Sequence, residues 1–156
     1  MKVKILAVGK IKEAYLRDAI AEYSKRISRF ANVEIVEVDE CLGKGMLSDA
    51  EIVKIKQTEG ERLLQKVDGY VVAMDIDGKQ LSSEQLSNLI AVQKQRHSTF
   101  TFVIGGSNGL SDEVKAKADL RLSFGKITLP HQLFRVILLE QVYRACCIEN
   151  NISYHK

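Results

Sequence analysis

Proline, cysteine and long apolar stretches are scarce in this chain of 156 residues. No apolar run is long enough to cross a bilayer, which excludes a membrane-spanning helix. The apolar part of the opening segment, Met1 to Gly9, is too short for a signal peptide and reads as a strand, so a cytoplasmic protein is expected. The 3 cysteines cannot all pair within the chain. Cys146 and Cys147 are adjacent, a poor geometry for bridging each other, and Cys41 stands alone; three reduced thiols are expected. No His or Cys pair has zinc-ligand spacing, so no metal is expected. The 1 proline, Pro130, fits the first turn of a helix, where its missing N–H costs little.

What is present is ordinary globular material. Hydrophobic residues are 46% and charged residues 28%, which argues against disorder and for one domain spanning residues 1–156 with one core. The net charge is only +3, but it is unevenly placed. Residues 1–30 hold eight Lys/Arg against three Asp/Glu, and residues 115–156 hold seven against three. The stretch 31–114 holds eight against fourteen. Basic ends folded together would make a surface suited to phosphates; scattered solvated charge fits the counts equally well.

Short apolar runs alternate with helical patterns. Val3–Val8, Val33–Val38, Tyr70–Met74, Phe100–Ile104 and Leu120–Phe124 read as strands. Between them, Glu13–Phe30 repeats apolar residues at helical spacing. Ser48 with Glu51, and Ser82 with Gln85, have capping-box spacing, placing a helix over Asp49–Lys66 and another after Ser82. Ser111 followed by two acids starts a short helix, and His131–Glu149 is the last. Strand and helix in alternation predict an α/β fold, a parallel sheet with helices on both faces. The last helix is apolar around almost its whole circumference. One sheet face needs only one apolar stripe, so the second is expected to meet the same helix of another copy.

In parallel α/β sheets ligands bind beyond the carboxyl ends of the strands. Three segments follow strands here: Asp75–Lys79, Gly105–Gly109 and Phe124–His131. The glycine-rich segment is neither a Rossmann fingerprint nor a P-loop. Taken alone, a plain turn and a ligand loop fit it equally. His131 at a helix start and the polar tail Tyr154-His155-Lys156 are, on their own, ordinary surface features.

Together these segments carry more. Ile5-Leu6-Ala7-Val8-Gly9-Lys10, Asp75-Ile76-Asp77-Gly78-Lys79, Val103 through Leu110, Ile127-Thr128-Leu129-Pro130-His131-Gln132, Arg135-Val136, Glu140 through Ala145 and the ending Tyr154-His155 resemble the 23S ribosomal RNA pseudouridine N3-methyltransferases, the ribosomal RNA large subunit methyltransferase H family. The resemblance runs over the whole chain. It implies a SPOUT fold with a trefoil knot near the C-terminus, an obligate homodimer, S-adenosylmethionine as methyl donor, and a pseudouridine of 23S ribosomal RNA in the assembled 70S ribosome as target. By motif position it implies cofactor contacts at Met74, Gly105, Phe124, Gly125, Lys126, Ile127, Thr128 and Leu129. Met74 stands where relatives often have Leu, and Gly125-Lys126 lies in a variable stretch.

The chemistry then assigns expected roles. An imide N3 is a poor nucleophile until its proton leaves, so the site needs positioning and a proton acceptor. His155 and Tyr154 are expected to reach over the partner subunit's cofactor site and to remove or orient that proton. His131 is expected to line the pocket. Arg144 is expected to contact phosphate or base, oriented by Glu140 one turn earlier. Arg135, Lys12, Arg17, Lys25 and Arg26 are expected to bind the RNA backbone. Two other readings are a ribosome-binding factor without catalysis and a SPOUT methyltransferase acting on transfer RNA.

Overall fold

The computed structural model describes residues 1–156. Ten elements alternate along the chain: β1 (Lys2–Val8), α1 (Ala14–Ile27), β2 (Asn32–Val38), α2 (Asp49–Leu64), β3 (Tyr70–Gln80), α3 (Ser83–Gln93), β4 (Thr99–Ile104), α4 (Asp112–Lys117), β5 (Leu120–Ser123) and α5 (His131–Glu149). The strands form one parallel sheet in the order β2-β1-β4-β3-β5, with Ile5 of β1 opposite Ile35 on one side and Phe102 on the other. No helix is long and apolar enough to cross a membrane.

The run Val3–Val8 is nearly continuous in apolar residues because both faces of the sheet are covered. Side chains alternate across a strand. Val3, Ile5 and Ala7 therefore join one core cluster, with Phe102, Leu138, Leu139 and Val142, while Leu6 and Val8 join a second with Leu63, Val103 and Val114. The first cluster lies under α1, α3 and α5, and α5 packs against both of the other two. The second lies under α2 and α4. Leu138, Leu139 and Val142 have no exposed surface. Burial of this kind contributes roughly 1.5–3 kcal/mol per side chain.

The helix starts follow the serines. Ser82 and Gln85 make the reciprocal box: the Gln85 N–H donates to Ser82 Oγ at 3.1 Å, and the Ser82 N–H to Gln85 Oε1 at 2.8 Å. Ser48 makes only its own half, accepting from the Glu51 N–H at 3.2 Å. Ser111 accepts from the Val114 N–H at 3.3 Å. Pro130 caps α5 from just outside rather than occupying its first turn.

Two further expectations change. The Asp75–Lys79 stretch is not a loop after a strand but an excursion within β3. Met74 and Lys79 both pair with Leu122, so the residues between them bulge out of the ladder. Gly78 makes this possible, since a Cβ there would lie 2.7 Å from the Arg121 backbone. Arg135, expected on RNA phosphate, has no exposed surface. Its Nη1 donates to Glu37 Oε2 at 2.6 Å and its Nη2 to the Gly9 carbonyl at 2.7 Å. It ties the start of α5 to the ends of β1 and β2 and cannot reach RNA.

Candidate functional site

The carboxyl ends of β3, β4 and β5 surround a cavity of about 760 Å³, within the ~300–1,000 Å³ of ordinary small-molecule sites. The excursion of β3 supplies Met74, Asp75, Ile76 and Asp77. The turn after β4 supplies Ile104 through Leu110, and the β5–α5 connection supplies Leu122 through Gly125 and Ile127 through His131. Phe134, Lys56 and Lys115 complete the lining from the helices.

Each segment has a physical reason for its shape. The turn after β4 folds back on itself: the Gly109 N–H donates to the Gly106 carbonyl at 3.0 Å. A Cβ on Gly105 would lie 2.7 Å from Gly109 C, so only glycine fits there. Gly109 and Gly125 take φ of +84° and +114°, which glycine adopts without strain. Ser123 links the two flanking segments. Its hydroxyl donates to the Ile76 carbonyl at 2.9 Å and accepts from the Gly125 N–H at 3.1 Å. Phe124 and Phe134 face each other with ring centroids 5.3 Å apart and form an aromatic wall.

Charge sits on one side. The Asp75 side chain is 4% exposed and lies 3.6 Å from Lys115 Nζ and 3.4 Å from Arg121 Nη1. Its Oδ1 accepts from the Asp77 N–H at 3.1 Å. Behind the glycine turn lies Glu59 of α2, buried, with Oε2 accepting from the Cys41 N–H at 3.0 Å. Burial pushes its carboxyl up from the ordinary range. A Cβ on Gly106 would stand 3.3 Å from both Glu59 oxygens, so the carboxyl packs directly against the turn.

A second cluster forms at the C-terminus. Asn151, at φ 54°, reverses the chain after α5, and the Ile152 N–H donates to the Cys147 carbonyl at 2.9 Å. The tail thus folds back beside α5. The Tyr154 hydroxyl donates to Glu140 Oε1 at 3.0 Å, and Arg144 Nη2 donates to the same oxygen. Arg144 stacks 4.7 Å from the Tyr154 ring centre, and its Nη1 lies 3.3 Å from His155 Nδ1. His155 Nε2 lies 2.7 Å from Glu84 Oε1 on α3. Burial, helped by the Glu140 bond, pushes the Tyr154 phenol up to about 12. It is a hydrogen-bond donor at neutral pH, not a proton acceptor.

Of the residues expected from sequence, Met74, Gly105, Phe124, Gly125, Ile127, Thr128, Leu129 and His131 all line the cavity, and Lys126 does not. Glu140, Arg144, Tyr154 and His155 meet in the tail cluster, outside the cavity of their own chain. Arg17 donates to the Lys12 carbonyl at 2.6 Å, while Arg26 pairs with Glu22 and stacks on Tyr23 and Tyr143. Sequence reasoning placed Asp75 in a candidate segment without its two cations, and missed Glu59, Phe134 and Glu84. Glu59 had a signal: Ile55, Glu59 and Leu63 are spaced by four, so an acid stands in a buried helical stripe.

Comparison with known proteins decides the family. The family model described as "Predicted SPOUT methyltransferase" matches residues 1–155. The chain belongs to the SPOUT methyltransferase family. Similar relatives of this SPOUT methyltransferase include proteins named ribosomal RNA large subunit methyltransferase H. Those from Lactobacillus acidophilus and Leuconostoc citreum are 51% and 48% identical, with 100% of both chains covered. Among solved structures, tRNA (m1G37) methyltransferase from Aquifex aeolicus is 15% identical with a TM-score of 0.53, covering 92% of this chain and 70% of that one. A putative methyltransferase from Legionella pneumophila, solved with bound cofactor SAM, is 11% identical with a TM-score of 0.51, covering 93% and 66%. At these identities they bear on the fold of this SPOUT methyltransferase alone.

Proposed function

We propose that this SPOUT methyltransferase transfers a methyl group from S-adenosylmethionine to N3 of a pseudouridine in 23S ribosomal RNA, on the assembled ribosome in the cytoplasm, as a homodimer. The observation that carries the reading is the cavity at the ends of β3, β4 and β5, set in a chain whose full-length relatives bear a ribosomal RNA methyltransferase name.

The residues present fit the cofactor. The turn at Gly105 exposes backbone edges because a Cβ there would collide with Gly109. Met74, Leu122, Phe124 and Phe134 offer apolar walls to an adenine, and Asp77 places an acid at the cavity, while Asp75 is already held by Lys115 and Arg121. Bound there, S-adenosylmethionine supplies an electrophilic methyl on a sulfonium. Met74, Gly105, Phe124, Gly125, Ile127, Thr128 and Leu129 hold and orient it, and His131 lines the mouth. Holding reactants in line supplies up to roughly 7–11 kcal/mol of the barrier.

The dimer completes the site. On α5, Leu133 is 38% exposed, and Phe134, Val136 and Ile137 are half-buried; Ile127 at the cavity mouth is 81% exposed. A second copy of α5 against this face covers them. It brings Glu140, Arg144, Tyr154 and His155 of one subunit to the cavity of the other. Lys12, Arg17, Lys25 and Arg26 face the RNA backbone. The knot is part of the same reading, with the β5–α5 connection threaded to form the cofactor loop.

Calorimetry with S-adenosylmethionine, and mass spectrometry of 23S ribosomal RNA from cells lacking the protein, test this. Saturable binding and a missing N3-methylpseudouridine are expected. No binding heat, or an unchanged modification, overturns it. Removing the residues after Ser153 is expected to leave cofactor binding intact and abolish turnover.

A further inference from the structure

His155 touches charged groups through both ring nitrogens, and the two contacts come from different elements. Arg144 Nη1 on α5 lies 3.3 Å from Nδ1, and Glu84 Oε1 on α3 lies 2.7 Å from Nε2. A guanidinium only donates and keeps its proton in proteins, so Nδ1 facing it must present a lone pair. An ionised carboxylate only accepts, so Nε2 must carry the hydrogen. The Glu84 carboxyl is held below its ordinary range, first by its own backbone N–H at the start of α3, then by His155 and Ser82. Both contacts select the same tautomer.

We propose that Glu84 is a positioning residue that keeps the hydrogen of His155 on Nε2, so that Nδ1 and the neighbouring Arg144 guanidinium form an acceptor–donor pair shaped for an imide edge. This rests on the pseudouridine reading above and names the proton acceptor within it. An imide presents an N–H flanked by carbonyl oxygens. His155 Nδ1 accepts the N3–H while Arg144 donates to the adjoining carbonyl. Without substrate the two groups satisfy each other across 3.3 Å, longer than the ~2.9–3.0 Å of a good bond from N–H. An incoming imide replaces that contact with two.

The step balances. The N3–H bond breaks and its electron pair stays on the imide, drawn onto the carbonyl beside Arg144. The proton forms a bond to Nδ1, giving an imidazolium whose Nε2–H still donates to Glu84. N3 then bonds to the methyl carbon as the carbon–sulfur bond breaks, sulfur keeping that pair, and the imidazolium later returns its proton to water. Glu140 orients Arg144 through Nη2. Tyr154, whose phenol holds its proton to about pH 12, contributes a ring under the guanidinium and no base. Glu84, 61% exposed, thereby acts through His155, as a carboxylate sets the tautomer of a catalytic histidine elsewhere.

The test uses the full-length protein with 15N-labelled histidine, together with methyl transfer to ribosomes lacking the modification. Wild type is expected to show the His155 hydrogen on Nε2. Glu84→Ala is expected to move part of the population to the other tautomer and to lower kcat about 10- to 100-fold at little cost in KM. Glu84→Gln, whose carbonyl still accepts from Nε2, is expected to restore the tautomer and most of kcat. Glu84→Ala with an unchanged tautomer and unchanged kcat overturns the proposal. So does a loss of kcat that Glu84→Gln does not recover. If wild-type protein carries the expected tautomer but does not methylate the ribosome, the functional reading is what has failed, and the role of Glu84 in proton removal falls with it.

Discussion

Arg135 on α5 and Glu37 on β2 meet at 2.6 Å, with the guanidinium side chain wholly out of solvent and its second nitrogen bonded to the Gly9 carbonyl. The pair joins the last helix to the carboxyl ends of the first two strands. Removing one partner of a buried ion pair strands the other. Glu37→Ala is expected to lower stability by about 3–5 kcal/mol, because it leaves the wholly buried guanidinium uncompensated, and Arg135→Ala by less through this effect, because the Glu37 it leaves behind is 33% exposed and can hydrate. Urea unfolding measures both; an unchanged midpoint for Glu37→Ala removes the anchor from this account.

Gly105 sets the shape of the cavity floor. Gly105→Ala places a methyl 2.7 Å from the Gly109 backbone, which cannot yield as a side-chain end would. The turn must shift, and cofactor affinity is expected to fall about 100-fold, roughly 2.7 kcal/mol. Calorimetry with S-adenosylmethionine is the measurement, and wild-type affinity in this variant refutes the assignment of the turn.

Tyr154 gives a pH prediction. Its folded-state value of about 12 lies above the ordinary 10, so the folded protein holds the phenol proton more tightly than the unfolded chain. This contribution is fully present below about pH 10 and is lost as pH rises toward 12. Tyr154→Phe is expected to match wild type in the pH dependence of stability up to about pH 10 and to fall less steeply above it. Parallel curves across that window count against the burial argument.

The thiols should divide cleanly. Cys146 and Cys147 are buried on α5, and burial, with Glu149 nearby, pushes the Cys146 thiol up to about 11. Cys41 is half-exposed. A thiol reagent is expected to label one cysteine per native chain quickly, identified by peptide mapping as Cys41, and all three after denaturation. Rapid labelling of Cys146 in native protein contradicts the packing described.

Much of the fold was legible because the residues that form it signal locally. The serines at 48, 82 and 111 mark helix starts, and the run Val3–Val8 marks a strand covered on both faces. The pattern Glu13–Phe30 overreaches the first helix: α1 stops at Ile27, and the chain turns, with the Phe30 N–H donating to the Ile27 carbonyl at 2.7 Å, before β2 begins at Asn32. Much of the cavity lining was legible too, since glycine clusters and the Phe124–Leu129 stretch follow strands. What stayed hidden depends on partners far along the chain. Arg135 reads as a surface cation until Glu37 and the Gly9 carbonyl, both distant in sequence, enclose it. Glu84 reads as an ordinary acid in a first helical turn until the reversal at Asn151 brings His155 back to it.

The sheet order also bears on how the chain is made. Strand β1 is synthesised first but lies between β2 and β4. One flank finds its neighbour once residue 38 has emerged; the other stays open until β4 ends at Ile104. At about 5–20 residues per second that gap lasts roughly 3–13 s. During it, the peptide groups of Lys2 through Ala7 are exposed to any extended segment in their neighbourhood. A nascent chain of this protein therefore carries an open strand flank well before its final helix exists.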